Sequence, residues 1–172
     1  MFYKIINTGS DVYKQLYDLR KKEQKIEESN KKIVNELVGQ DFTHFIGNVG
    51  QQNFERVTQY SGFEFMHPEK LPPKVWVLDK QYGDKGCYIP NRRTKAGREM
   101  LEKLRTLPHS SIIDVFRILE CEMLGRFVFP YVEIGRDDVI VLYMSDRYDE
   151  TLRKNRDIIE ITKNEFDEIL AD

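Results

Sequence analysis

The feature that most constrains the fold is a regular spacing of seam residues near the start of the chain. Between Ser10 and Gly39 they are separated alternately by four and three residues, which is typical of a long helix that buries one narrow stripe. The spacing predicts a helix over about residues 10–39. Its seam begins at Val12, and its predicted interface consists of Leu16, Leu19, Glu23, Ile26, Asn30, Ile33 and Leu37.

The sequence leaves open what this stripe packs against. Glu23 and Asn30 are polar seam positions, which lower the stability of a helix pair but can fix its register. The stripe can serve self-association or a partner protein, or it can pack within the chain against a helix predicted at Ser111–Leu124. Residues 20–32 are almost entirely polar, so we expect the middle of the helix to protrude or to lie across the surface.

The composition indicates a folded chain. Of the 172 residues 40% are hydrophobic and 12% aromatic, and the formal net charge is −2, which excludes the low hydrophobicity and high charge of disordered chains. No apolar run approaches the roughly 18 residues that span a bilayer, and no signal-peptide pattern is present. Cys87 and Cys121 are far apart in sequence, as is usual in a reducing compartment. We therefore expect a single cytoplasmic domain over 1–172 with no membrane partner.

Strand and helix patterns follow one another in an order that predicts an α+β domain. We expect a mainly antiparallel sheet, the long N-terminal helix and two or three further helices. Strands are predicted at Phe2–Ile6, Gly62–Met66, Lys74–Asp79, Cys87–Ile89, Phe127–Ile134, Val139–Met144 and Ile158–Ile161. Further helices are predicted at Gln52–Tyr60, Thr94–Leu107, Ser111–Gly125 and Thr162–Leu170. The four apolar residues within Lys74–Asp79 predict a strand covered on both faces, and Pro130 predicts an edge strand or a bulge.

Basic residues are concentrated in the middle of the chain, where Lys70–Arg105 contains ten basic and four acidic residues. Four of them lie before or within the first turn of a predicted helix, where positive charge opposes the helix dipole and does not serve helix stability. Exposed backbone amides at a helix start also favour anions. The predicted binding residues for an anionic partner are Arg92, Arg93, Lys95 and Arg98, together with Tyr88 and Trp76.

Two other interpretations of the basic segment remain open. It can be a solvated loop whose aromatic residues belong to the core. It can also be neutralised within the chain, because residues 136–172 contain eleven acidic and six basic residues.

The sequence predicts no catalytic residue, metal site or cofactor. His44, His67 and His109 lack the spacing of metal ligands, and neither GxGxxG nor GxxxxGK[ST] occurs. Cys87 is interpreted as a structural cysteine and not as a nucleophile. The pair Asp137–Asp138 is interpreted as turn chemistry and not as a cation site.

Three segments carry a resemblance to a known group of proteins: the strand Met1-Phe2-Tyr3-Lys4-Ile5-Ile6 with its charged helix, the Trp76 strand, and Tyr88-Ile89-Pro90-Asn91-Arg92-Arg93-Thr94-Lys95-Ala96-Gly97. The chain resembles small accessory proteins encoded by tailed phages and prophages. The resemblance implies an accessory product acting inside a bacterial cell. It brings no established activity and no functional residue.

The sequence favours a non-enzymatic accessory protein that contacts a host or phage macromolecule, protein or nucleic acid, through the basic patch and the long helix. One alternative is a small nucleotide-binding protein or enzyme that uses the same patch for phosphate. The other is a structural homo-oligomer.

Overall fold

The computed structural model describes residues 1–47, 60–80, 86–122 and 130–171. Within these ranges the fold is α+β, as predicted, with five α-helices and two antiparallel four-stranded sheets. The chain divides into two compact units. Unit 1 contains Met1–Gln24 and Ser111–Asp172, and unit 2 contains Lys25–Ser110. The single domain over 1–172 stays a prediction.

The long helix α1 spans Asp11–Val38, which confirms the helix predicted from the seam. Its start is capped by Ser10, whose hydroxyl oxygen accepts a hydrogen bond from the backbone N–H of Tyr13 at 3.2 Å. It ends at Gly39, whose φ of 79° lies in the left-handed region that favours glycine. Residues up to Gln24 belong to unit 1, and the remainder of the helix belongs to unit 2.

The sheet of unit 1 has the strand order β6-β7-β1-β8. Its strands are β1 (Phe2–Ile5), β6 (Tyr131–Ile134), β7 (Ile140–Tyr143) and β8 (Ile158–Ile161). Strands β6 and β7 form the predicted hairpin, joined by a short 3₁₀ turn at Arg136–Asp138. Among the described strands β6 is the outermost on its side of the sheet, which fits the edge position that Pro130 favours. The predicted residues 127–129 of this strand lie outside the described part of the chain.

Three helices complete unit 1: α3 (Ile112–Ile118), α4 (Asp149–Arg153) and α5 (Lys163–Leu170). Helix α5 packs against the sheet through Phe166, whose ring centroid is 4.9 Å from that of Phe2. Helix α3 is shorter than the predicted Ser111–Gly125. It ends because the chain turns at Glu120, which adopts a φ of 55°.

The sheet of unit 2 has the strand order β2-β3-β5-β4. Its strands are β2 (Phe42–Gly47), β3 (Tyr60–Phe65), β4 (Trp76–Asp79) and β5 (Cys87–Pro90). Helix α2 (Lys95–Arg105) follows β5. The predicted helix at Gln52–Tyr60 falls mainly on residues 52–59, which are outside the described residues.

The core of unit 2 is an aromatic cluster closed by side chains from α1 and α2. The indole of Trp76 packs edge-on against Phe63 and Phe65, with ring centroids 5.7 and 5.3 Å apart. Val34 of α1 and Leu104 of α2 are fully buried in the same cluster. This core packs α2 against the sheet of unit 2.

The prediction that β4 is covered on both faces is wrong. Val77 and Leu78 are 41% and 39% exposed, because β4 is the outermost described strand of its sheet. No helix in the described ranges is long and apolar enough to cross a bilayer.

Candidate anion-binding surface

The predicted basic residues lie on a turn and helix start that hydrogen bonds hold in place. Thr94 caps α2, since its hydroxyl oxygen accepts a hydrogen bond from the N–H of Gly97 at 3.0 Å. The same hydroxyl donates to the backbone oxygen of Lys74, just before β4. The N–H of Asn91 donates to the backbone oxygen of Val75 at 2.7 Å. These bonds fix residues 91–94 against the two residues that precede β4.

The turn is tightened further by Asn91. Its side-chain oxygen accepts a hydrogen bond from the N–H of Arg93 at 3.1 Å, an arrangement that asparagine commonly supplies in turns. Gly97 packs directly against the backbone of Asn91. The two arginines that follow Asn91 therefore project from a rigid backbone.

We define the basic surface as Arg92, Arg93, Lys95 and Arg98, all of which are exposed. Nζ of Lys95 lies 3.9 Å from Oε1 of Glu99, with which it forms an ion pair on the same helix. Arg98 donates from Nη1 to the backbone oxygen of Arg92 at 3.2 Å, which holds the Arg98 guanidinium beside the turn. Within the described residues neither Arg92 nor Arg93 forms an ion pair, so their charges are open to an external anion.

The two aromatic residues predicted for this site belong to the core, and this corrects the prediction. Trp76 is 4% exposed and lies inside the aromatic cluster. Tyr88 is half-buried and packs against the same cluster, with its ring centroid 6.2 Å from that of Phe65. Strand residues alternate between faces, and the apolar face of this sheet takes both rings inward. The site therefore offers charge without a stacking platform.

An open depression of about 460 Å³ lies on the exposed side of α2. It is lined by Lys95, Arg98, Glu99, Glu102 and Lys103. Because two of these side chains are carboxylates, the depression is not a strong phosphate site. The turn that bears Arg92 and Arg93, residues 91–94, contains no acidic residue.

The predicted helix interface faces the interior of the chain. Leu16, Glu23 and Asn30 are buried, and Leu19, Ile26, Ile33 and Leu37 are half-buried. Contact between another chain and the three buried residues would require these side chains to leave the interior. These three side chains are therefore buried within the chain, and packing of α1 against the helix predicted at Ser111–Leu124 stays a prediction. Pairing of the half-buried positions with another chain stays a prediction.

The polar seam residues have internal partners. Glu23 lies 3.3 Å from Nη1 of Arg20, and Arg20 also makes two hydrogen bonds to the carboxylate of Glu133 in β6, at 2.9 and 2.7 Å. In unit 2 the side-chain nitrogen of Asn30 donates to the backbone oxygen of Pro108 at 2.8 Å. The sequence signals the burial of Glu23 through its seam position but does not reveal Glu133 as part of the same network.

The described cysteines are poor nucleophiles. Both are buried, and burial raises the pKa of Cys87 and raises that of Cys121 to about 11. A high pKa leaves little thiolate at neutral pH. No group of three or more His, Cys, Asp or Glu residues in the described part of the chain could hold a metal ion. Asp137 and Asp138 both adopt a φ of 57° in the β6–β7 turn, as the turn interpretation predicts.

Comparison of the chain with models of known protein families gives no match, and comparisons with curated proteins and with solved structures give none either.

Proposed function

We propose that this chain is a non-enzymatic accessory protein that binds an anionic macromolecule through the basic surface. The observation that carries the proposal is the state of Arg92 and Arg93. They are exposed and have no ion-pair partner within the described residues. They also stand on a backbone that Asn91 and Thr94 hold rigid. Because this backbone is already ordered, binding orders less of the chain than it would in a flexible loop.

The place of action in this proposal comes from the resemblance to phage and prophage accessory proteins. Accessory proteins of tailed phages and prophages act inside the bacterial cell, where host and phage proteins and nucleic acids offer acidic surfaces. The basic surface supplies the contact in this proposal. The long helix contributes its buried side chains to the chain's own interior, and its half-buried positions are available to a partner or to a second copy.

Fluorescence anisotropy with two labelled polyanions tests the proposal directly. The probes are a polyglutamate peptide and a single-stranded oligonucleotide, each titrated with the protein at about 0.15 M salt. We expect at least one probe to bind, and we expect the double variant Arg92→Glu with Arg93→Glu to weaken that binding by about tenfold or more, because attraction becomes repulsion.

A matched control has the same change in charge at a different place. Lys22→Glu with Lys25→Glu alters two exposed lysines of α1, and binding should change little. Equal loss of binding in both double variants would show that net charge alone is responsible. Failure of both probes to bind the wild-type protein would overturn the proposal.

The nucleotide-binding alternative makes a separate prediction. A ligand that prefers the folded state raises the apparent stability of the protein. Stabilisation by a nucleoside triphosphate, but not by either polyanion, would favour that alternative. The structural homo-oligomer would be favoured by a sedimentation coefficient that rises with protein concentration and is insensitive to the arginine changes.

A further inference from the structure

Strand β4 has apolar surface that the described part of the protein leaves partly uncovered. It is the outermost strand in the order β2-β3-β5-β4. Successive strand residues point to opposite faces, and Val77 and Leu78 are 41% and 39% exposed. Apolar surface is therefore open on both sides of this edge.

The backbone of β4 also has hydrogen-bonding groups directed away from its neighbour. The N–H of Asn91 donates to the oxygen of Val75, and the register pairs Val77 with Ile89 and Leu78 with Tyr88. Bonded and non-bonded pairs alternate in an antiparallel ladder. Val77 is therefore bonded to β5, while the N–H and C=O of Leu78 point toward the open edge.

The same alternation directs the C=O of Trp76 outward. The N–H of Trp76 is not available to a further strand, because it donates to the backbone oxygen of Pro72 at 3.0 Å. The edge thus presents two acceptors and one donor in strand geometry. Unpaired groups of this kind are a template for an additional strand.

Positive charge stands at both ends of this edge. Lys74 and Lys80 flank β4 and are exposed, and the bond from Asn91 to Val75 places Arg92 and Arg93 beside its first end. The acidic residue on the strand itself is Asp79. Lysines at a sheet edge discourage pairing between identical chains because the charges of the two copies repel. The same charges attract an acidic segment.

We propose that β4 binds an acidic peptide in extended conformation as a further strand of its sheet. The peptide backbone would bond to Leu78 and Trp76, its apolar side chains would cover Val77 and Leu78, and its carboxylates would meet the flanking cations. This mode of recognition takes affinity from main-chain hydrogen bonds and specificity from side chains. The inference rests on the proposed function, since Arg92 and Arg93 supply part of the attraction.

A peptide fits this edge better than a nucleic acid does. Phosphates would satisfy the cations, but a nucleic acid has no backbone that matches the ladder at Leu78. Single-strand binding also relies on exposed aromatic rings for base stacking, and Trp76 is buried in the core.

The test compares two peptides that differ only in hydrogen bonding. Both have about eight residues, an ordinary strand length, with central valines, which place apolar side chains on both faces of the strand, and glutamates at each end. One carries N-methyl groups on two consecutive central residues, which removes donors from both of its edges. We expect the unmodified peptide to bind about tenfold or more tightly than the methylated one, because the edge that faces β4 loses a backbone hydrogen bond and carries a methyl group in its place. Binding should also slow hydrogen exchange of the Leu78 amide.

The outcomes separate the two proposals. Equal binding of both peptides, with loss in the Arg92→Glu and Arg93→Glu variant, would overturn the strand-addition proposal and leave the basic surface as an anion site. Binding of the oligonucleotide but of neither peptide would also overturn it. If the arginine variant binds every probe as the wild-type protein does, the proposed function itself fails.

Discussion

The backbone oxygen of Asn91 lies 1.8 Å from the position that a Cβ atom on Gly97 would occupy. The first turn of α2 therefore reaches its neighbouring turn only because residue 97 has no side chain. This close approach positions the basic surface relative to β4.

Replacement of Gly97 by alanine tests this relationship. We expect Gly97→Ala to destabilise the protein by about 2 kcal/mol or more, because the added methyl group would displace backbone and not a flexible side chain. Urea denaturation provides the measurement. Gly9→Ala is the control, since its Cβ would meet Asn7 Oδ1 at an ordinary 3.4 Å, and equal losses in both variants would contradict the clash.

The backbone at the end of α3 leads us to expect a substitution that increases stability. Glu120 holds a φ of 55°, which costs an L-residue about 1 kcal/mol relative to glycine. We expect Glu120→Gly to raise the melting temperature by a few degrees, about what 1 kcal/mol provides in a chain of this size. Glu120→Ala removes the carboxylate without relieving the backbone. A rise in this second variant would assign the effect to charge.

The network around Arg20 should be sensitive to loss of the guanidinium. Arg20 contacts Glu23, which is 1% exposed, and Glu133 in β6. Removal of one partner from a buried ion pair costs about 3–5 kcal/mol. We therefore expect Arg20→Met to lower the free energy of unfolding by about 3 kcal/mol in chemical denaturation. The exposed Lys22→Met is the control and should cost little; a small effect at both positions would show that the network does not stabilise the fold.

The pKa of Cys121 predicts a specific loss of stability at high pH. Burial raises it from 9.0 to about 11. Between these values the unfolded chain has released the thiol proton while the folded chain retains it, so stability falls as pH rises. Below pH 9 the thiol is protonated in both the folded and the unfolded chain, so the stability is not reduced. We expect the difference in unfolding free energy between the wild-type protein and Cys121→Ala to narrow from pH 9 to pH 11, and a constant difference would contradict the assignment.

Local features of the fold were predictable from the sequence because their physical causes are local. The seam spacing predicts α1 correctly, and Thr94, Ser111 and Thr162 each cap the helix that follows them. At the last of these helices, the N–H of Glu165 donates to the Thr162 hydroxyl oxygen, and the carboxylate of Glu165 accepts a hydrogen bond from Lys4 in β1.

Features that depend on distant residues were not predictable in the same way. Phe2 pairs with both Tyr143 and Ile161, and no local pattern identifies such partners. The candidate site shows the same limit. Arg92 and Arg93 are exposed, as a binding surface requires, but the packing that buries Trp76 involves rings on a different strand, which the local sequence around Trp76 does not reveal. The outward-facing groups of β4 follow from register, which only the assembled sheet reveals.

The division of unit 1 into two sequence segments has a consequence for its synthesis. Tyr3 and Ile5 leave the ribosome with β1, yet their sheet neighbours in β7 and β8 are made more than a hundred residues later. At about 5–20 residues per second this delay is on the order of ten seconds. The strands of unit 2 are all synthesised before β7 and β8. Strand β1 is therefore without both of its sheet neighbours until all of unit 2 has been made.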